Sequence, residues 1–319
     1  MIAANKQASL AMIKSDVSVH RTLIKTLSRP PGIRKGKDDR SLYISTFATL
    51  LLIPGVSLAQ LSGPTLPVSW LNQNRYIEVS TGIHSQHYQE QDRGGNILDT
   101  ETGNQKIINT ALRWQFEKGW FLHLQNSRRQ GSTNYNGYLQ TGAINTPYSA
   151  LSGNSATQYG ASIGYALNNS TLVLIPEQWQ LTPLLHYSQH HWQRDLVQYS
   201  ETYDYTTAAA GVMLQWQPLY GTVLEVQTLQ GKSQSAKVSV PAFNFIATQP
   251  GGSYAEWQFT VSQDIDAVTS IASFKYWHLM ASYTRSRYQH SASATVNQLQ
   301  APNNQQSLSN WMVGVQRHF

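Results

Sequence analysis

The last ten residues, "NWMVGVQRHF" (310–319), alternate in the character of their side chains. One set is apolar apart from an arginine: Trp311, Val313, Val315, Arg317 and Phe319. The other set is polar or small apart from a methionine: Asn310, Met312, Gly314, Gln316 and His318. A period of two is that of a β-strand with two chemically different faces. The stretch therefore predicts that the chain closes on a strand and ends on an aromatic residue.

The same alternation recurs upstream in segments that are separated by connections of two lengths. Short turns occur at 114–120 and 217–221, whereas long polar stretches occupy 89–106, 130–156 and 231–253. Short turns at one end and long surface loops at the other are typical of outer-membrane barrels. The pattern predicts an all-β fold, a single transmembrane antiparallel up-and-down β-barrel of about ten strands, with eight to twelve possible.

A soluble β-sandwich is the alternative fold, because its strands also alternate. The polar face of the segments, however, carries charged residues, as in a wet interior: Glu78, Arg113, Glu117, Glu225 and Glu256. The opposite face is apolar and rich in aromatic residues, over strands of about ten residues, the length of a tilted bilayer crossing. A closed barrel also leaves no edge strand unpaired in lipid. These features favour the barrel.

Residues 1–59 have the features of an extended N-terminal export signal. A basic stretch precedes the apolar run Leu42–Ile53, and Ser57 and Ala59 place small residues just before Gln60. The run is about 12 residues, shorter than the roughly 20 that a membrane-spanning helix needs. We therefore predict a leader at 1–59, a periplasmic N-terminal segment at 60–74 and the barrel at 75–319.

The formal charge of +6 comes entirely from the predicted leader. Residues 1–59 hold nine Lys and Arg against three Asp, and the remaining chain holds 14 basic and 14 acidic residues. A neutral mature chain does not favour nucleic-acid binding. The chain has no Cys, which excludes disulfides, thiolate metal sites and a lipid anchor on cysteine. No cofactor or metal is predicted.

Together, the signal, the hairpin pattern and the terminal Phe319 resemble Gram-negative outer-membrane proteins of the small-barrel class, without pointing to one family. The resemblance implies location in the cell outer membrane, with its lipid and lipopolysaccharide as partners. It also implies that the barrel-insertion machinery reads an assembly signal formed by Trp311, Val313, Val315 and Phe319. Arg317 departs from that class pattern, which prefers an aromatic or apolar residue third from the end.

The charged residues of the polar face are predicted to form a polar network in the lumen: Glu78, Arg113, Glu117, Glu225 and Glu256. Glu78 and Arg113, on neighbouring strands, could pair. A barrel of ten strands is narrow, since large water channels need about 16. We therefore expect a filled lumen, no general porin activity, and a role in envelope structure or surface interaction with an unknown partner. A narrow small-solute channel is an alternative.

An outer-membrane enzyme that acts on lipid or surface peptide is a further alternative. The segment "HYSQHHWQRD" (186–195) offers the catalytic candidates His186, Ser188, His190 and Asp195, which could serve acyl transfer. A His cluster could also bind a metal. Omptin-like proteases use an Asp–Asp pair and an Asp–His pair, and that paired-Asp signature is missing here. The chain is therefore expected to be non-enzymatic.

Overall fold

The computed structural model describes residues 69–319, apart from the pairs 142–143, 170–171, 197–198, 270–271 and 297–298. The predicted leader and residues 60–68 lie outside the described residues. Among the described residues, no helix is both long and apolar enough to cross a membrane. The helices are short: α1 (Trp70–Gln73), α2 (Asp266–Thr269) and two 3-10 turns at Pro241–Phe243 and Ala272–Phe274.

Twelve strands make up the described part of the chain. They are β1 (Arg75–Gln91), β2 (Ile97–Gln115), β3 (Trp120–Thr141), β4 (Ile144–Tyr165), β5 (Trp179–Asp195), β6 (Ser200–Leu219), β7 (Thr222–Ser233), β8 (Ala236–Val240), β9 (Phe245–Gln249), β10 (Gly251–Asp264), β11 (Trp277–His290) and β12 (Asn303–His318).

Ten of these strands close into one antiparallel barrel. Around the wall they follow chain order, β1 to β7 and then β10, β11 and β12. The last strand pairs with the first, from Tyr76 opposite His318 to Gln91 opposite Asn303. Strands β8 and β9 form a small hairpin that pairs with β6 outside this circuit. The predicted fold class and strand number are confirmed.

The outer wall carries an apolar belt between two rows of aromatic residues. At the proximal end, where Arg75 and Phe319 lie, Trp179 stacks on Trp216 with ring centroids 5.2 Å apart. About 20 Å further along the barrel axis, as the strand rise and tilt imply, the rings of Tyr283 and Trp311 lie with their centroids 4.3 Å apart. Outward residues between the rows are exposed and apolar, such as Val79 and Val313. Aromatic rings at both edges of an apolar band are typical of a membrane crossing.

Beyond this belt the strands continue far past the expected membrane surface. The β3–β4 hairpin pairs without interruption from Trp120 opposite Tyr165 to Thr141 opposite Ile144. The stretches 89–106, 130–156 and 231–253, predicted to be loops, are therefore mostly strand, and that prediction was wrong. Distal to the belt the outer face of the sheet meets water instead of lipid, while inward residues such as Tyr88 and Arg194 stay buried. The apolar alternation therefore fades although the backbone ladder persists.

The proximal connections also differ from the prediction of uniformly short turns. The β2–β3 and β6–β7 turns are tight, and each uses a glycine with positive φ, Gly119 at 86° and Gly221 at 74°. The β4–β5 and β10–β11 connections, at 166–178 and 265–276, are longer.

Candidate functional site

The lumen is the candidate site, and its proximal end is closed by four amides. The Asn74 side chain donates to Gln115 Oε1 at 2.9 Å and Gln215 Oε1 at 3.0 Å, and Gln180 Nε2 donates to the same two oxygens. Gln215 Nε2 donates back to Asn74 Oδ1 and to Glu225 Oε2. All four amide residues are buried. The network joins opposite walls, because Asn74 precedes β1 whereas Gln215 lies on β6.

Directly distal to the amides, an ion pair spans the lumen. Arg113 on β2 binds Glu225 on β7, with Nη2 2.9 Å from Oε1 and a second contact between Nη1 and Oε2. The guanidinium also lies over the rings of Tyr76 and Phe121. Both charged side chains are buried, so their desolvation is compensated by direct pairing and by the Gln215 hydrogen bond.

This pairing corrects the expectation that Arg113 meets Glu78. In the β1–β2 register Arg113 stands opposite Tyr76, and Glu78 stands opposite Ala111. Glu78 instead accepts hydrogen bonds from Gln316 Nε2 at 3.1 Å and Ser80 Oγ at 3.0 Å.

The other two predicted lumen residues are placed differently from each other. Glu256 on β10 lines the internal cavity described next. Glu117 lies outside the lumen, because β2 ends at Gln115 and Glu117 falls in the exposed β2–β3 turn. The prediction for Glu117 was wrong, since alternation was extended past the end of the strand.

The middle of the lumen holds a cavity of about 60 Å³ lined mainly by polar side chains. One buried water occupies roughly 10–15 Å³ on this kind of measure, so the cavity has room for a few waters and no larger solute. Arg129 Nη1 lies 3.1 Å from His84 Nε2 at its wall, and His84 Nδ1 lies 2.5 Å from Asn310 Oδ1.

Distal to the cavity, aromatic rings from several strands fill the lumen. Trp192 stacks on Tyr203 at 4.8 Å, and Tyr88 from β1 meets Trp192 edge-on at 5.1 Å. His190 stacks on Tyr205 with ring centroids 4.5 Å apart, and the ring of Tyr288 from β11 contacts both rings edge-on. Tyr88 and Tyr203 come from opposite walls. The rings therefore form a continuous apolar layer across the barrel.

The most distal layer is a buried arginine surrounded by carboxylates. Arg194 on β5 is 1% exposed, and its Nε lies 2.6 Å from Glu101 Oε2. Its Nη1 contacts Glu201 at 3.0 Å and Glu90 at 3.4 Å, and its Nη2 contacts Asp99 at 3.4 Å. One cation thus faces four carboxyl groups from β1, β2 and β6, which we call the Arg194 cluster.

The Arg194 cluster lies outside the membrane-spanning segments, since Glu90 is seven residues beyond Ile83, the last large apolar residue on the outside of β1. Burial, and to a lesser extent the neighbouring carboxyl group of Asp99, raises the pKa of Glu90 to about 8. Burial likewise raises the pKa values of Asp99 and Glu201, although Arg194 opposes both shifts.

Comparison with known proteins supports the fold. No protein-family model matches the sequence, and no curated relative does. Among solved structures, the outer membrane protease OmpT from Escherichia coli superposes with a TM-score of 0.53 at 11% identity, over 79% of this chain and 99% of that chain. The chain folds as an outer-membrane β-barrel. At this identity the likeness concerns the fold alone.

Other outer-membrane barrels are similar at lower scores. The β-domain of the Bordetella autotransporter BrkA has a TM-score of 0.38 at 11% identity, over 77% of this chain and 100% of that chain. Ail of Yersinia pestis has a TM-score of 0.31 at 14% identity, over 77% and 99%.

The catalytic candidates do not form a triad in this barrel. Ser188 Oγ lies 2.8 Å from His190 Nε2, but Ser188 also bonds Thr207, and the His190 ring is stacked in the aromatic layer. His186 contacts Ser162 instead, at 2.9 Å. Asp195 is exposed on the outer wall, where it accepts hydrogen bonds from Ser200 and Gln193. It faces outward because its position differs from that of each inward candidate by an odd number.

An exposed His–Asp pair lies on the outer wall just distal to the belt. His191 Nδ1 and Asp204 Oδ1 are 2.6 Å apart, and both side chains are about half exposed. Thr157 is the register partner of His191 on its other side. Backbone N–H groups here belong to the strand ladders, so no donors converge to stabilise an oxyanion. Among the described residues, no group of three or more His, Asp or Glu is arranged to hold a metal ion.

The sequence missed the carboxylates of the Arg194 cluster. Arg194 lies within the His-rich segment 186–195, but Glu90, Asp99 and Glu101 lie in a stretch predicted to be a loop. The sequence feature that could have revealed them is their position on the same face of the two strands of a β-hairpin, since Glu90 and Asp99 are register partners.

Proposed function

We propose that this protein is a non-enzymatic outer-membrane β-barrel with a closed lumen, which serves the structure of the envelope or interaction at the cell surface. The proximal end would face the periplasm and the distal strands the exterior. The observation that carries the proposal is the Arg113–Glu225 pair, which joins opposite walls and is backed by the amides, the aromatic layer and the Arg194 cluster.

Closure at several levels argues against a solute path. A channel needs continuous polar space, whereas here the cavity is enclosed between the ion pair and the aromatic layer. Closure also argues against the enzyme alternative, because Ser188 and His190 are buried in the lumen with no route for a lipid or peptide. The extended distal strands, including the β3–β4 hairpin, provide the surface for a binding partner.

The test is conductance of the purified, folded protein in planar lipid bilayers. The proposal expects no steady single-channel steps at moderate voltage. A fourfold truncation variant, Arg113→Ala, Glu225→Ala, Tyr88→Ala and Trp192→Ala, should conduct if it folds, because both barriers are weakened. Reproducible steps in the wild-type protein would establish the narrow channel instead. Heat-modifiable migration on gels verifies that each sample is a folded barrel.

A further inference from the structure

Two arginines lie side by side on the outer wall immediately distal to the belt. Arg285 and Arg287 share the outward face of β11, about 7 Å apart along the strand. Just proximal on the same face is Tyr283, which contacts Trp311 on β12 at 4.3 Å and Trp257 on β10 at 5.0 Å. We call these five residues the β11 patch.

The guanidinium groups of the β11 patch are not neutralised by neighbouring side chains. Among the described residues neither arginine forms an ion pair. Their register partners on β12 are Ser309 and Ser307, and on β10 they are Trp257 and Ala255. The nearest acid of β10, Glu256, lines the lumen on the other face. Two full positive charges therefore stand at the level of the lipid headgroups.

The arrangement of charges and rings in the β11 patch fits the binding of a phosphate group that is attached to an apolar molecule. Arginine binds phosphate through paired N–H donors, and it keeps its charge at every relevant pH. Basic side chains beside a membrane attract anionic headgroups over about a Debye length. Three clustered aromatic rings directly below would pack against the apolar part of the same molecule. The serine hydroxyls beside the arginines supply further donors to phosphate oxygens.

We propose that the β11 patch binds the phosphate groups of a phosphorylated lipid in the leaflet that surrounds the distal end of the barrel. This inference rests on the proposed outer-membrane location, but not on the closed lumen. Conductance and lipid binding are separate measurements, so failure of one leaves the other interpretable.

The experiment uses the full folded protein in neutral detergent, with lipid A carrying two phosphates as the probe. Dephosphorylated lipid A and inorganic phosphate are the comparison ligands. Binding is followed by tryptophan fluorescence, since Trp257 and Trp311 border the arginines. The test variant is Arg285→Gln with Arg287→Gln. The matched control is Lys106→Gln with Arg128→Gln, which removes the same charge from the outer wall of β2 and β3, where no aromatic trio lies.

The wild-type protein and the control should prefer the phosphorylated lipid by about thirtyfold, the effect of two basic residues near an anionic headgroup. The Arg285 and Arg287 variant should lose this preference while it still migrates as a folded barrel. An equal preference in that variant, or no preference in the wild type, would overturn the proposal. Competition by inorganic phosphate at the lipid's own concentration would overturn the assignment to a lipid.

Discussion

Arg113 and Glu225 stand on opposite walls of the barrel, five strands apart in either direction, and their side chains meet in the lumen. The contact fixes the separation of β2 and β7 without any backbone hydrogen bond between them. Together with the amides of Asn74, Gln115, Gln180 and Gln215, the pair fills the proximal part of the lumen. The pair therefore contributes both to the stability of the fold and to the proposed closure of the lumen.

Replacing one partner of this pair should destabilise the barrel strongly. Glu225→Gln leaves the Arg113 charge buried and unpaired, so we expect a loss of about 3–5 kcal/mol in the free energy of unfolding. Adding Arg113→Met should restore part of that loss, because neither charge is then buried alone. Urea unfolding in detergent micelles, followed by tryptophan fluorescence, measures both values. Glu117→Gln, in the exposed β2–β3 turn, is the control and should change little; an equally small effect of Glu225→Gln would contradict the buried pair.

The Arg194 cluster should make stability fall as pH rises. Burial raises the pKa of Glu90 to about 8 in the folded state, whereas an unfolded glutamate titrates near 4.3. Between these values the unfolded state loses the proton first, so the folded state becomes less favourable as pH increases from about 4.3 to 8. Glu90→Gln should therefore stabilise the barrel at pH 8.5 and have little effect at pH 4.

The measurement is the difference between wild type and Glu90→Gln in the urea midpoint, at several pH values. Taking the difference cancels the contribution of the buried histidines, which both proteins share. Asp204→Asn, in the half-exposed pair on the outer wall, serves as control and should not produce a rise of stability at high pH. A Glu90→Gln difference that stays constant across the range would show that Glu90 is ionised in the folded barrel.

Deleting Phe319 should impair assembly far more than Arg317→Tyr. The backbone N–H of Phe319 donates to Arg75 O at 3.0 Å, and its ring lies 6.1 Å from Trp114 in the proximal aromatic row. Arg317 donates to the carbonyl of Lys275 at 3.0 Å and lies over the Tyr276 ring, so its charge is held at the interface, where tyrosine is also favourable. The assembly signal remains a prediction, which the amount of folded protein in outer membranes would test. Wild-type amounts after deletion of Phe319 would contradict it.

A methyl group at Gly82 should not be tolerated. A Cβ there would overlap the carbonyl oxygen of Trp311 on the neighbouring strand, whereas at Gly153 it would meet only Asp195 Cβ at an ordinary 3.4 Å. Gly82→Ala should therefore lower the free energy of unfolding by about 1–3 kcal/mol for overpacking, or prevent closure between β1 and β12. Gly153→Ala is the matched control and should behave as wild type. Heat-modifiable migration and urea unfolding distinguish the two, and equal stability would show that the β1–β12 ladder adjusts.

The fold could be predicted from the sequence because its cause is local. Alternation such as that of Val313, Gly314 and Val315 follows directly from the pleat of a strand, and outside the belt it fades for an equally local reason, because the outer face meets water instead of lipid. The length of the distal strands could not be predicted, since polar residues on two faces leave no periodic signal for a ladder of backbone hydrogen bonds.

The sequence by itself determined that this chain forms antiparallel strands with an apolar outer face, and which side chains turn inward. Only the tertiary structure decided which inward side chains meet. Arg113 finds Glu225 rather than Glu78, and Arg194 gathers Glu90, Asp99, Glu101 and Glu201. Apart from Glu201, which is the register partner of Arg194 on β6, these groups meet across the lumen. Their contacts therefore depend on strand number and stagger, which together set the barrel's diameter and the height of each residue on its wall. Periodicity along one strand carries no information about the wall opposite.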